Sequence, residues 1–210
     1  QHEHFCLVSL YSAERCWSRA MEIKAAYDDA VREAKRAAGK RKKKTKSGDG
    51  DEDGINDAGG SKKKASPAQI RRHYINKLHK ASTYGAELEE RAKVSCDDRT
   101  AIEARAYAAC MRGTLALEVG NWQTACAEFG SALTICRALG QGELSGADAS
   151  SASGEDGAED LELRDFFTAR AEHVIEPLLR YCRYELQEGG MDQSDLRSLL
   201  EEQEEVEKKA

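Results

Sequence analysis

The feature that most restricts this chain is the stretch AYAACMRGTLALEVGNWQTACAEFGSAL, residues 106–133. Small residues recur through it at helical spacing, and a Gly120-Asn121 pair interrupts it. The pattern predicts two helices joined by a tight turn. Gly tolerates the left-handed backbone that ends a helix, and Asn caps the next one. Gly113 lies inside the first helix, where the missing Cβ lets a partner helix come close. Trp122 opens the second helix, and Ala125, Phe129 and Ala132 follow on one face. A chain built around such a hairpin is committed to packing helix on helix.

This alternation of small and large residues is the packing pattern of a tetratricopeptide-type hairpin. The expected fold class is therefore all-α, with tetratricopeptide-like antiparallel hairpins. Two prolines in 210 residues, amid much Ala, Glu, Lys, Arg and Leu, agree with it. Hairpins of this kind stack into surfaces, and such surfaces bind partners.

A first helix is expected over residues 3–38, with Ala13, Cys16, Trp17, Ala20, Ile23, Tyr27 and Val31 on one face. Residues 39–66 are Lys-rich and then Gly/Asp-rich, and are expected to be a disordered insertion. A second helix follows Ser66-Pro67 and runs to about Ser95, with Ile70, Tyr74, Leu78, Ala81, Gly85 and Leu88 as its apolar stripe. A third runs from a cap near Asp98 to Gly120. A fourth spans Asn121 to Leu139, with Gly140 as its stop. Residues 141–159 form a second low-complexity insertion. A fifth helix is expected from Asp160 to Gln187, kinked near Ile175-Glu176 by Pro177. Residues 1–190 thus read as one helical domain. Residues 191–210 read as an acidic helix or tail beginning near Gln193.

Several classes of function are disfavoured. No run approaches the ~20 apolar residues of a membrane-crossing helix, so membrane insertion is not expected. Phe5–Tyr11 is apolar but lacks the flank and cleavage site of a signal peptide. The seven cysteines are odd in number and form no C-x-x-C pair. They read as reduced core thiols of an intracellular protein rather than zinc ligands. No metal and no cofactor is expected. Neither a nucleophile elbow, nor a phosphate loop, nor a metalloprotease motif is present, so an enzyme is not expected. Trp17 and Trp122 fall at core spacing, with base stacking as the alternative.

Charge is the informative quantity. Residues 1–140 hold 25 Lys and Arg against 19 Asp and Glu, a balance of +6. Residues 141–210 hold 7 against 19, a balance of −12, and residues 34–86 hold 15 against 5, or +10. From Ala58 to Ala86 there is no acidic residue. On a helical wheel Arg72, His73, Asn76, Lys77, His79 and Lys80 fall opposite the apolar stripe, with Arg71 at the edge. Arg can chelate two phosphate oxygens and Lys acts as a point charge, so this face suits a phosphate backbone. The plain alternative is a solvated helix face. Arg15, Arg19 and Lys24 of the first helix are further candidates, or members of a local salt-bridge set with Glu22. The run Lys40–Lys46 adds nonspecific affinity or only solubility, since acidic residues follow it at once.

Four segments taken in order carry a family likeness: AERCWSRAMEIK (13–24), SPAQIRRHYINKLHKASTYGAELEE (66–90), EARAYAACMRGTLALEVGNWQTACAEFGSALTI (103–135) and EHVIEPLLRYCRYEL (172–186). This order resembles the RNA-binding domain of the sixty-eight-kilodalton subunit of the eukaryotic signal recognition particle. The resemblance implies a tetratricopeptide-like domain that binds the particle RNA near its three-way junction and bends or remodels it. It implies a role in co-translational targeting to the endoplasmic reticulum, with other particle proteins and the ribosome as partners. It also implies a cytoplasmic particle with a nucleolar assembly stage. By position, Arg71, Arg72, Lys77 and Lys80 match the family's basic second helix. The family carries an arginine-rich segment ahead of its first helix. This chain opens on QHEHFCLVSL, so it is expected to be a fragment without that contact. The rival expectation is a tetratricopeptide-like protein–protein adaptor whose groove holds a peptide.

Overall fold

The computed structural model of the protein describes residues 3–44, 65–142 and 155–189, with side chains for 5–39, 65–142 and 161–189. The described residues are helical, without a strand. They form α1 (Glu3–Lys44), α2 (Pro67–Ser95), α3 (Asp98–Val119), α4 (Trp122–Gln141), α5 (Glu155–Arg170), a π-helical turn (Ala171–Ile175) and α6 (Glu176–Glu188). The all-α expectation holds.

Local chemistry sets the helix ends. At α2 the Ser66 hydroxyl accepts from the Gln69 N–H at 3.3 Å, and the Gln69 side chain accepts from the Ser66 N–H at 2.9 Å. This is a reciprocal capping box, with Pro67 at the first helical position. The cap of α3 is Asp97, one residue before the expected Asp98. Its carboxylate accepts from the Thr100 hydroxyl at 2.6 Å and the Thr100 N–H at 3.2 Å. These bonds favour the charged form and hold its carboxyl below the usual range. Gly120 ends α3 at φ 80°, and Asn121 caps α4 by accepting from the Thr124 N–H at 3.3 Å.

α1 to α4 pack consecutively as antiparallel neighbours, and α5 continues through the π turn into α6 along α4. Cys16 of α1 meets Ala81 of α2, while Ala20 and Ile23 meet Tyr74 and Leu78. Gly85 of α2 lies against Ala108 and Met111 of α3. The largest cluster joins α3 and α4 to Phe167, Ala171, Ile175, Leu179, Cys182 and Leu186. The helix faces expected from the sequence are therefore the buried ones. Trp17, Tyr27, Val31 and Ile70 are half-buried at their margins. All seven cysteines are thiols, six of them buried.

Three further boundaries differ from expectation. α1 continues through 39–44, and α5 starts at Glu155, so those residues are helical rather than part of insertions. α4 runs through Gly140 and ends at Gly142, φ 74°. Gly140 is a close-packing residue, not a stop. A Cβ there would lie 2.5 Å from Thr168 Oγ1 of α5. The break expected before Pro177 is the π turn, where the Glu176 N–H reaches back to the Ala171 carbonyl. The wider turn accommodates a proline that has no N–H to give. The expected continuation after Gly190 lies outside the described residues.

Polar ties cross the array. Arg112 of α3 donates to Glu89 of α2 at 2.9 Å and to Glu128 of α4 at 2.8 Å. The Tyr107 hydroxyl donates to Glu14 of α1 at 2.7 Å. Arg91 donates to the buried Ser9 hydroxyl at 2.7 Å. Burial alone would raise the Glu89 carboxyl, but Arg112 and Lys93 outweigh it and hold it below its ordinary value.

Two outcomes follow from this packing. A Cβ at Gly113 would stand 2.8 Å from the ring of Phe129, which is 1% exposed, whereas a Cβ at Gly85 meets neighbours at 3.5 Å. Gly113→Ala is expected to lower the midpoint of thermal unfolding, an overpacking cost of about 1–3 kcal/mol exceeding the gain in helix propensity. Gly85→Ala leaves the midpoint unchanged or raises it; circular dichroism melts of the two variants check this. Because the folded-state Glu89 pKa is depressed, its contribution is complete above the ordinary carboxylate pKa. That contribution is lost as pH falls through the lowered value. Glu89→Gln is thus expected to cost about 1–2 kcal/mol at pH 7. In denaturant titrations the gap from wild type closes below roughly pH 4.

Candidate nucleic-acid interface

The amino-terminal half of α2 turns one face inward with Tyr74, Leu78 and Ala81 and the other to solvent with Arg72, His73, Asn76, His79 and Lys80. Lys77 is half-buried between them. The capping box and the apolar stripe orient this face, so the basic side chains stand on a rigid backbone. Among the described residues, Arg72, Lys77 and Lys80 form no ion pair. The acids of α2 lie farther along and are engaged: Glu87 with Arg91, Glu90 with Lys93, and Glu89 with Arg112 and Lys93. His73, Asn76, Lys77, His79 and Lys80 line one shallow depression.

α1 extends the face. Arg19, Glu22, Ile23 and Ala26 share a groove with Gln69, Ile70 and His73, so Arg19 and His73 look into the same space. Arg19 pairs with Glu22 at 2.5 Å, and both are well exposed. An exposed pair of this kind is worth little and opens readily to a competing anion. Arg15 is exposed one turn away on the same stripe.

Two of the candidates do something else. Lys24 does not face the groove: it pairs with Glu118 of α3. Glu118 also accepts from the Tyr74 hydroxyl at 2.8 Å. Burial, then this acceptor, push the Tyr74 hydroxyl pKa well up. Arg71 donates to the Glu118 backbone carbonyl at 2.9 Å, placing a cation at the carboxyl end of α3. The corner at Glu118 therefore ties α1, α2 and α3 together. Nothing in the spacing of Lys24, Arg71 and Glu118 along the chain signals this meeting. The preformed basic face consists of Arg72, His73, Lys77 and Lys80, flanked by Arg15 and Arg19.

The remaining chemistry is sparse. Among the described residues no group of three His, Cys, Asp or Glu side chains is arranged to hold a metal. No helix there is long and apolar enough to cross a membrane. Trp122 packs edge-on against Tyr181 with ring centroids 5.8 Å apart, and Trp17 packs beside Ala20 and Cys16, so both indoles border the core. The basic segments 40–46 and 62–64 lie beyond the described side chains.

Comparison with known proteins adds a separate line of evidence. The signal recognition particle subunit SRP68 of Drosophila melanogaster is 29% identical over 130 residues, covering 61% of this chain and 18% of the relative. The subunit of the same name from Dictyostelium discoideum is 25% identical over 179 residues, covering 85% of this chain and 21% of the relative. That from Caenorhabditis elegans is 30% identical over 129 residues, covering 60% and 18%. The chain thus spans about a fifth of the length of these curated relatives. The family model described as RNA-binding signal recognition particle 68 matches residues 1–209, and the chain belongs to that family.

Proposed function

We propose that this domain binds the signal recognition particle RNA near its three-way junction and bends or remodels it, as part of the cytoplasmic particle that engages ribosomes and targets nascent proteins to the endoplasmic reticulum. Assembly of the particle with its other proteins begins, on this reading, at a nucleolar stage. The observation that carries the proposal is the exposed, acid-free half of α2, where Arg72, Lys77 and Lys80 lack ion pairs among the described residues. A-form RNA hides its base edges in a deep, narrow groove, so a protein reads it through shape, phosphates and 2′-hydroxyls. Arg and Lys side chains borne on one rigid helix are suited to tracking phosphates. Arg19, held only by Glu22, widens the contact towards α1.

One cleft favours the adaptor reading as a second possibility. Leu7, Leu10, Leu88, Ala104, Tyr107 and Phe166 line an apolar depression where α1, α2, α3 and α5 meet. A partner whose capture survives ribonuclease would speak for that cleft. Loss of every partner after ribonuclease would speak for RNA.

The test of the primary reading is fluorescence anisotropy with junction-containing particle RNA and an unrelated hairpin, titrated across salt. The wild-type chain is expected to prefer the junction, with a log–log salt slope of roughly −3 or steeper. Reversing charge at Arg72, Lys77 and Lys80 together is expected to weaken binding at least tenfold and to flatten the slope by about 3, with helicity unchanged. Wild-type affinity in that variant would sink the assignment of this face. Arg71 is left out of the set because its reversal would also place a carboxylate beside the Glu118 carbonyl.

A further inference from the structure

The first turns of α1 run beside the carboxyl end of α2, and polar contacts fix their register. Arg91 of α2 donates to the Phe5 carbonyl at 3.2 Å and to the Ser9 hydroxyl at 2.7 Å. Between those two anchors stands Cys6, 9% exposed and packed with Leu88, Ala92 and Ala104 in one apolar cluster. Its sulfur lies 3.7 Å from that of Cys96, with one thiol hydrogen bonding to the other. The two residues are 90 positions apart, and nothing in the sequence spacing marks them as a pair.

Cys96 is the member that can move. It caps the carboxyl end of α2, with its N–H bonded to the Ala92 carbonyl at 3.0 Å and an extended backbone at φ −116°, ψ 173°. With Asp97 it forms the short corner between α2 and α3. It is half-buried, so a small solute reaches its sulfur from solvent. A disulfide needs its sulfurs about 2.05 Å apart, so roughly 1.7 Å remains to close. Side-chain rotation at both cysteines and a small shift of the corner supply that. Cys126 and Cys182 also meet, between α4 and α6, but they are 6% and 0% exposed and both lie inside helices. The helical backbone there has little room to yield, and burial shields both sulfurs from an oxidant.

We propose that Cys6 and Cys96 are a modification site, a reversible disulfide clasp formed by hydroperoxides. The Cys96 sulfur attacks one peroxide oxygen, the O–O bond breaks, and a sulfenic acid forms with release of water. The Cys6 sulfur then attacks the Cys96 sulfur, the S–S bond forms, and the S–O bond breaks with release of a second water. The two thiols together lose one electron pair to the peroxide, and each thiol proton ends in a water. Intracellular disulfides are mostly of this transient, responsive kind. The bond pins the start of α1 to the α2–α3 corner. Cys6, Leu7 and Leu10 line the apolar cleft, so its α1 wall becomes fixed. Lys80 lies sixteen residues before Cys96, about 24 Å along the helix axis, so the clasp leaves the basic face alone.

Peptide mapping of the 210-residue chain tests this. The reduced chain is treated with excess hydrogen peroxide, alkylated, digested without reductant and read by mass spectrometry. The expected product joins the peptides carrying Cys6 and Cys96, lighter by two hydrogens than their sum, and dithiothreitol reverses it. In Cys6→Ser the oxidation stops at a Cys96 sulfenic acid that dimedone traps, whereas in Cys96→Ser the Cys6 thiol survives. The oxidised wild type is expected to unfold at a midpoint about 5 °C or more above the reduced chain, a gap absent from both variants. A main link between Cys126 and Cys182, or links only between two copies of the chain, overturns the proposal. So does the absence of a 6–96 link, whether or not Cys96 is oxidised. These outcomes are read on the wild type, so they decide even where a variant does not fold. A 6–96 link that leaves the midpoint unchanged or lower also overturns it, because the bond would then not hold α1 to the corner.

Discussion

The approach of α3 to α4 at Gly113 and Phe129 is the contact on which the rest of the array depends. The Phe129 ring fills the space that a side chain at 113 would occupy. Around it the interface is built of Ala106, Ala109, Ala116, Ala125 and Ala132, all nearly or fully buried. Alanine contributes little apolar area per residue, so this interface gains its stability from close packing over many contacts. Such a seam has little room to adjust. The outer faces of the two helices are set at a defined separation as a result. α2 packs on one side through Gly85, and α5 and α6 pack on the other through Gly140 and Cys182.

On this frame the polar residues are sorted by which neighbour they can reach. Glu118, Glu89, Glu128 and Glu14 are all used between helices, by Lys24, Arg112 and Tyr107. Breaking one partner of such a tie leaves the other underpaired in a partly buried place, which is where these bonds carry weight. The consequence for function is indirect but strong. These four acids are engaged between helices, while Arg72, Lys77 and Lys80 on α2 form no ion pair among the described residues. The net negative charge of the whole chain therefore says little about this face. Local geometry separates the signs.

Much of the fold was legible in the sequence, because caps and stripes are local. Ser66, Asn121 and Gly120 each act through atoms a few residues away, and the buried face of α2 repeats at helical spacing. The misreadings share one cause. A glycine in a helix has two meanings, stop or close approach, and Gly140 has the second only because Thr168 lies across from it. A lysine on a helix can serve a ligand or a neighbour, and Lys24 serves Glu118, 94 residues away. Arg71 and Arg72 are adjacent in the chain and about 100° apart around the helix. One ties α2 to the end of α3 and the other faces solvent. No periodicity distinguishes them, because the difference is made by α3.

This rigidity bears on how the proposed complex would work. A basic face held by a capping box, a buried stripe and the Glu118 corner loses little backbone freedom on binding. The deformation in an encounter with RNA then falls on the softer partner, and a junction is softer than a continuous duplex. A protein that keeps its shape and spaces its cations along one straight helix favours RNA able to bring its phosphates to that line. Selectivity for a bendable junction would then come from the energy of deformation rather than from base edges, the same logic by which duplex stiffness is read without base contacts. The flanking Arg19, free to leave Glu22, is the adjustable member of the set. Arg72 and Lys80 on the outward turn of α2 have no such pair to break among the described residues.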